Sequence, residues 1–364
     1  MKVHPTVVIS QVPPPTHGST LITKILLEVL AELGEAPVLI DRRFSREIGE
    51  VGALSARKIA AAPALAVRLI LVLLKRPRFC VFFCTNRSFS FLVDVVLGEL
   101  LRFFRIPTVN YIHTRGYSEL AERGRIWRFL VSRLLRGAIA NVCLGETLKA
   151  DLLPFVAEGT ISVVKNTVEV PPPEAGMRQR GHILFLSNLL EEKGADVFVE
   201  MAIEMCGISP DRRFSLVGAP VDDGLLAELR ERVRKSGLSG RIVFLGPLFG
   251  AEKWNALASA EVLVFPTRYR FEAQPLTIIE AFSVGVPVVA TNIGSIGDLV
   301  EDGVNGWLVA EANVNSVKEA VLKATSEPAT SDRLAVGARR TFEQMYSREV
   351  FRAEWSRVIA GMRK

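Results

Sequence analysis

Val262-Leu263-Val264-Phe265-Pro266 and Pro287-Val288-Val289-Ala290-Thr291 are two short, mostly apolar runs, and residues 267–286 between them hold a turn-rich loop followed by a helix-length segment. Short apolar runs without polar alternation suit strands buried on both faces, which is how strands of a parallel sheet read. Joined through a helix, the two runs make one βαβ unit. The same alternation recurs on both sides of this segment. In the first half, strand-sized runs fall at 6–10, 36–40, 79–84, 108–112, 139–144 and 161–164, with helical patterns such as 19–33 and 89–104 between them. In the second half the runs fall at 182–187, 213–218, 241–245, 262–266, 287–291 and 306–309. The pattern predicts an α/β fold with two Rossmann-like domains.

The length of 364 residues is more than one core usually serves, which agrees with two domains. Val170-Pro171-Pro172-Pro173-Glu174-Ala175-Gly176 suits an extended connector, so the expected domains are 1–170 and 177–345. Residues 346–364 form a final helix, with Phe351, Trp355 and Ile359 four residues apart on one face, able to pack on either domain. Cys80, Cys84, Cys143 and Cys206 form no CxxC pair, and the four histidines have no zinc-binding spacing. Reduced thiols, a cytoplasmic setting and no metal site are expected. The first apolar run is too short for a signal peptide, and 59–74, broken by Pro63 and Arg68, is shorter than the roughly 20 residues that span a bilayer.

Charge is uneven along the chain. Residues 1–170 carry a balance of +8 and the remainder −2. A basic first half suits an anionic surface or ligand, or simply a solvated exterior. Arg57, Lys58, Arg68, Lys75, Arg76 and Arg78 surround the apolar stretch 59–74, a combination that suits either peripheral docking at the inner face of a membrane or a buried helix with solvated flanks.

Ligands of doubly wound sheets collect beyond the carboxyl ends of the strands, so the loops there are where chemistry is expected. The richest is Phe271-Glu272-Ala273-Gln274-Pro275-Leu276-Thr277-Ile278-Ile279-Glu280-Ala281. Pro275 in the first turn of a helix costs little and leaves the Leu276 and Thr277 amides facing an anion. Glu272 on the loop and Glu280 inside the helix then reach different hydroxyls of one extended ligand, unless Glu280 is an incidental surface residue. This reading requires both acids to stand at the ligand side rather than in ion pairs behind the sheet.

The segment, continued through Ser283 to Thr291 and Glu301-Asp302-Gly303-Val304-Asn305-Gly306, resembles the Glu-x7-Glu region of retaining GT-B glycosyltransferases of family 4. That resemblance implies two Rossmann-like domains facing each other across a cleft, with a nucleotide-sugar donor, UDP- or GDP-linked, on the second. It implies that Glu280 binds the ribose, that Glu272 lies beside the transferred sugar, that the Leu276 and Thr277 amides hold the diphosphate, and that Gln274 and Pro275 belong to the donor-binding segment. Ser187-Asn188-Leu189-Leu190-Glu191-Glu192-Lys193-Gly194 is similar to a second element of the family, in which Lys193 neutralises a phosphate. Asn188 stands where that family usually has an arginine. A neutral donor is weaker than a charged one, so either another base such as Arg268 compensates or affinity is lower.

In the first half, Pro13-Pro14-Pro15-Thr16-His17-Gly18-Ser19-Thr20 resembles the family's glycine loop, with Ser19 or Thr20 capping the helix, and equally fits a plain capped turn. His113, at a strand end, matches the histidine near the transferred sugar. His17, Arg87 and Arg115, in the strand-end loops, are further candidates for acceptor or phosphate contacts. With no Asp-x-Asp in the chain, catalysis is expected to need neither metal nor cofactor. The expected partners are a nucleotide-sugar, a glycan or lipid-linked acceptor and an anionic membrane, but no nucleic acid. A dinucleotide oxidoreductase would show a Gly-rich fingerprint, which is absent, and a non-catalytic membrane or nucleic-acid binder leaves Glu272 and Glu280 unexplained. A GT-B nucleotide-sugar epimerase is the closest rival, distinguished by changing the donor without an acceptor.

Overall fold

Twelve strands, thirteen α-helices and three short 3-10 helices build the residues described in the computed structural model, namely 4–14, 17–42, 56–171 and 178–362. Two compact units divide the chain: residues 1–168 together with 348–364, and residues 169–347. Most of the proline-rich connector, residues 172–176, lies outside the described residues.

The first unit carries β1 (Thr6–Ser10), β2 (Pro37–Asp41), β3 (Phe79–Cys84), β4 (Thr108–Ile112), β5 (Ala140–Cys143) and β6 (Ile161–Val163) in the order β2-β1-β3-β4-β5-β6. Every neighbouring pair is parallel. Its helices are α1 (Gly18–Glu32), α2 (Ala56–Leu73), α3 (Ser88–Phe103), α4 (Tyr117–Glu122) and α5 (Arg125–Arg136). β1, β3 and β4 are buried at every position, which is why they read as unbroken apolar runs.

The stretch 59–74 does not break at Pro63. That proline sits inside α2, and the helix continues because Leu65, Leu69 and Leu73 are buried on one face. Packing of that stripe outweighs the cost of about 3 kcal/mol that an interior proline carries. α1 also differs from expectation. It starts at Gly18, with His17 as the cap residue; Thr20 Oγ1 accepts from the His17 amide at 3.0 Å and donates to its carbonyl at 2.8 Å. Ser19 and Thr20 therefore lie inside the first turn.

The second unit orders β7 (His182–Leu186), β8 (Arg213–Val217), β9 (Ile242–Gly246), β10 (Val262–Phe265), β11 (Val288–Thr291) and β12 (Gly306–Val309) as β12-β11-β10-β7-β8-β9, all parallel. This is the doubly wound order in which the sheet is laid down outward from its centre in two directions. α6 (Ala195–Ile208), α7 (Asp223–Lys235), α8 (Gly250–Ser259), α9 (Leu276–Ser283), α10 (Ile296–Leu299), α11 (Val314–Ala324) and α12 (Pro328–Met345) complete it. The winding direction reverses between the neighbours β7 and β10, so the loops that leave those two strands open a crevice at the carboxyl edge.

The last helix, α13 (Arg348–Gly361), belongs to the first unit. Phe351, Trp355 and Ile359 are buried, Trp355 meeting Tyr111 edge-on at 5.0 Å. Full burial of a side chain such as Phe or Ile stabilises by about 1.5–3 kcal/mol. Arg348 bonds Glu32 at 2.7 Å, and Glu354 accepts from the Lys165 amide at 3.1 Å. All four cysteines are buried free thiols.

Candidate functional site

At the reversal point of the second unit, the loop after β7 and the loop after β10 approach backbone against backbone. Gly194 has φ +80°, and a Cβ there would overlap the Pro266 carbonyl; a Cβ on Gly218, after β8, would overlap the Ser187 carbonyl. A third contact of this kind is Gly294 at φ +62°, against the Glu272 carbonyl. Only glycine fits such approaches. Ser295 adds a strap, its amide and Oγ both donating to the Ala273 carbonyl at 2.9 and 2.6 Å.

These constraints bring Lys193 and Glu272 into a nearly buried ion pair. The Lys193 ammonium also lies 4.5 Å from the centre of the Tyr269 ring. Beside them Glu280, 5% exposed on α9, pairs with Lys253 of α8 at 2.6 Å. Glu280 is thus no incidental surface residue. Both acids are in ion pairs, yet each pair is built from a strand-end loop or the opening turns of a helix at the carboxyl edge, the ligand side of such a sheet. Lys253 was not among the expected residues. The legible signal was a lysine in the opening turn of the helix that follows β9.

Between the two pairs stands the start of α9. Pro275 is the cap residue, at φ −69° and ψ 124°, one place earlier than expected, so Leu276 and Thr277 become the first two helical residues. Their amides have no preceding turn to bond to, which leaves them to face an anion. Gln274 is buried in the loop just before.

Asn188 lies at the end of β7, half-buried, its carbonyl accepting from Leu190 at 2.9 Å. Arg268 is not placed as its substitute. The guanidinium bonds Asp196 at 2.9 Å and the Glu191 carbonyl at 2.7 Å, and the Arg268 amide donates to Glu192 at 2.6 Å. Its charge is matched by Asp196, and it pins the turn that carries Lys193.

In the first unit, the loops after β1, β3 and β4 hold the remaining candidates. Gln11 Nε2 donates to His17 Nε2 at 2.6 Å, which puts the proton of neutral His17 on Nδ1, 3.1 Å from Ser19 Oγ. Burial lowers the His17 pKa. His113 stacks on Phe83 with centroids 4.9 Å apart, and its Nε2 is buried with no hydrogen-bond partner among the described residues. Burial, helped by the nearby His17, pushes its pKa down to about 3. Arg87 and Arg115 are exposed at the ends of β3 and β4, and the Arg115 carbonyl accepts from Asn86 at 2.5 Å. Below them lies a buried pair that the sequence did not reveal, Arg42 with Asp94 at 2.6 Å, where Asp94 also accepts from the Thr85 amide at 2.7 Å.

The depressed His113 pKa has a defined sign. Below pH 6.5 an unfolded chain protonates this imidazole and the native state does not, so its contribution to stability is full above 6.5 and drains away as pH falls toward about 3. The slope is on the order of 1 kcal/mol per pH unit for one such group. We expect His113→Gln to flatten the loss of urea-unfolding free energy between pH 6.5 and 4 by about that amount. An unchanged slope would show that the imidazole titrates normally in the native state.

Among the described residues, no cluster of three or more His, Cys, Asp or Glu side chains is arranged to hold a metal ion, and no helix is long and apolar enough to cross a membrane. Residues 180–327, which contain Asn188, Lys193, Lys253 and the whole loop from Glu272 to Glu280, match the family described as Glycosyl transferases group 1. Over those residues the second unit is similar to the group 1 glycosyl transferases. Among similar curated proteins, the lipopolysaccharide core biosynthesis mannosyltransferase LpsB of Rhizobium meliloti is 34% identical over 133 residues, 35% of this chain and 37% of its own. Glycogen synthase of Mycobacterium tuberculosis is 25% identical over 252 residues, 66% of this chain and 60% of its own. The chain spans between about a third and three fifths of the length of the curated relatives it matches. Solved structures extend the likeness in fold to nearly the whole chain. Sucrose-phosphate synthase from Thermosynechococcus elongatus superposes with a TM-score of 0.78 at 19% identity, over 98% of this chain and 99% of that one. Anabaena HepE, solved in complex with UDP, gives 0.75 at 16% identity, over 98% and 100%. The fold is therefore that of the GT-B glycosyltransferases.

Proposed function

We propose that this protein transfers a sugar from a UDP- or GDP-linked donor to a glycan or lipid-linked acceptor at the inner face of a cytoplasmic membrane, with retention of configuration and without a metal. One observation carries the reading: two lysine–glutamate pairs flank the open start of α9 at the point where the second sheet reverses direction. An anion seat between two acids fits a ligand with phosphate at its middle and hydroxyls on both sides.

In this reading the donor diphosphate sits on the Leu276 and Thr277 amides, and Lys193 turns from Glu272 toward the phosphate. Breaking the anomeric C–O bond builds negative charge on the leaving diphosphate, and fixed donors already aimed there lower the barrier. Glu272, released from the lysine, accepts hydrogen bonds from the transferred sugar. Lys253 holds Glu280 in place for the ribose hydroxyls. Asn188 donates a neutral hydrogen bond where its relatives supply charge, so Lys193 carries more of the phosphate interaction. In the first unit, neutral His113 offers its Nε2 to a sugar hydroxyl, and His17, Gly18, Arg87 and Arg115 line the approach to it.

Ligand-observed NMR with a panel of UDP-, GDP- and other nucleotide-sugars tests the donor directly. At least one nucleotide-sugar is expected to give saturation transfer that excess nucleoside diphosphate removes. If none binds, the donor reading fails. A donor whose sugar changes configuration with no acceptor present would instead identify an epimerase.

A further inference from the structure

The first unit has one side that is apolar where water should meet it. β2 to β3, β3 to β4 and β4 to β5 all advance the same way across the sheet, so right-handed connections place α2, α3 and α5 on one face, whereas β1 to β2 runs back and puts α1 on the other. α3 packs against both α2 and α5. Each of the three helices buries one stripe and turns a second outward. On α2 the outward ridge is Val67, Leu71 and Leu74. On α3 it is Leu92 and Val96, ending at Phe103, which is 80% exposed; on α5 it is Ile126 and Phe129, at 74% and 63%.

The α3 and α5 ridges run side by side. Glu99 is the next outward position after Val96, Arg133 is the next after Phe129, and these two bond each other through two contacts of 2.8 Å. On the three helices themselves, the exposed charge not already paired with an acid is basic. α5 carries Arg125, Arg128, Arg133 and Arg136 with no acid, and exposed Arg68, Lys75 and Arg76 line the end of α2. Glu99, the acid on the outward side of α3, is already taken by Arg102 and Arg133. The side chains of Arg57 and Lys58 lie outside the described residues.

We propose that the outer face of α2, α3 and α5 docks on an anionic lipid bilayer, its apolar ridges entering the headgroup layer and its arginines meeting lipid phosphates. Exposed aromatic and aliphatic ridges within a basic field are what an interfacial surface needs. A nucleic acid would use the charge and leave the ridges wet. A second copy of this face would set arginine against arginine with no free acid to pair them. The inference deepens the membrane setting of the proposed function and does not depend on the donor seat of the second unit.

Co-sedimentation of the full chain with vesicles tests it. Wild type is expected to pellet with mixed phosphatidylglycerol–phosphatidylcholine vesicles at ~0.1 M salt and to stay in solution with phosphatidylcholine alone. Arg125→Gln with Arg128→Gln should weaken partitioning roughly tenfold or more, and Phe103→Ser with Phe129→Ser should do so comparably, each with an unchanged thermal midpoint. The proposal is overturned if wild type never pellets at any salt, if both variants bind as wild type does, or if free protein forms a dimer that the same variants dissociate.

Discussion

Replacing Lys193 by alanine is expected to lower kcat for sugar transfer by a factor of roughly 100 to 1,000, the usual effect of removing one aimed donor from a site where negative charge develops. Stability should fall as well, because Glu272 is left as a nearly buried carboxylate without its cation. Breaking such a pair from one side costs about 3–5 kcal/mol. The two effects separate in the double variant Lys193→Ala with Glu272→Gln, where no buried charge is orphaned. Its urea midpoint should return toward wild type while turnover stays low. A stable double variant that turns over at the wild-type rate would remove Lys193 from the chemistry and leave it as packing.

Glu280→Gln should act on a different part of the donor. The amide keeps the shape and much of the hydrogen bonding but loses the charge that strengthens contacts to two ribose hydroxyls, a loss of about 1.5–3 kcal/mol. Affinity for the nucleoside diphosphate should therefore drop between about tenfold and a hundredfold. Inhibition by inorganic pyrophosphate, which has no ribose, should stay as it is. Isothermal titration with both ligands checks the contrast. Affinities for both ligands unchanged from wild type in a folded variant would mean that Glu280 only holds Lys253 in place.

The strands were legible because parallel sheets bury both faces, so β3 and β4 appear as apolar runs whose ends match the structure to the residue. Helix starts were less so. His17 caps α1 and Pro275 caps α9 through backbone angles that residue preferences describe only on average. The acids were readable, since Glu272 and Glu280 sit in one contiguous segment. Their lysines were readable unequally: Lys193 lies in a motif of its own, whereas Lys253 becomes relevant only once the sheet is known to place two strands, β7 and β8, between β9 and β10. Arg42 and Asp94 are 52 positions apart, a separation at which local pattern says nothing about contact. α2 was left open between docking and burial for another reason. An apolar helix with few polar positions suggests burial all round, and periodicity does not report that Val67, Leu71 and Leu74 meet no further layer of protein.

α13 sets the order in which the chain can mature. Tyr111 and the strand that bears it receive their cover from Trp355, which leaves the ribosome after all of residues 169–347. Domains generally close in the sequence in which they are translated. Here the later-made unit has its whole core in hand before Trp355 exists to close the earlier one.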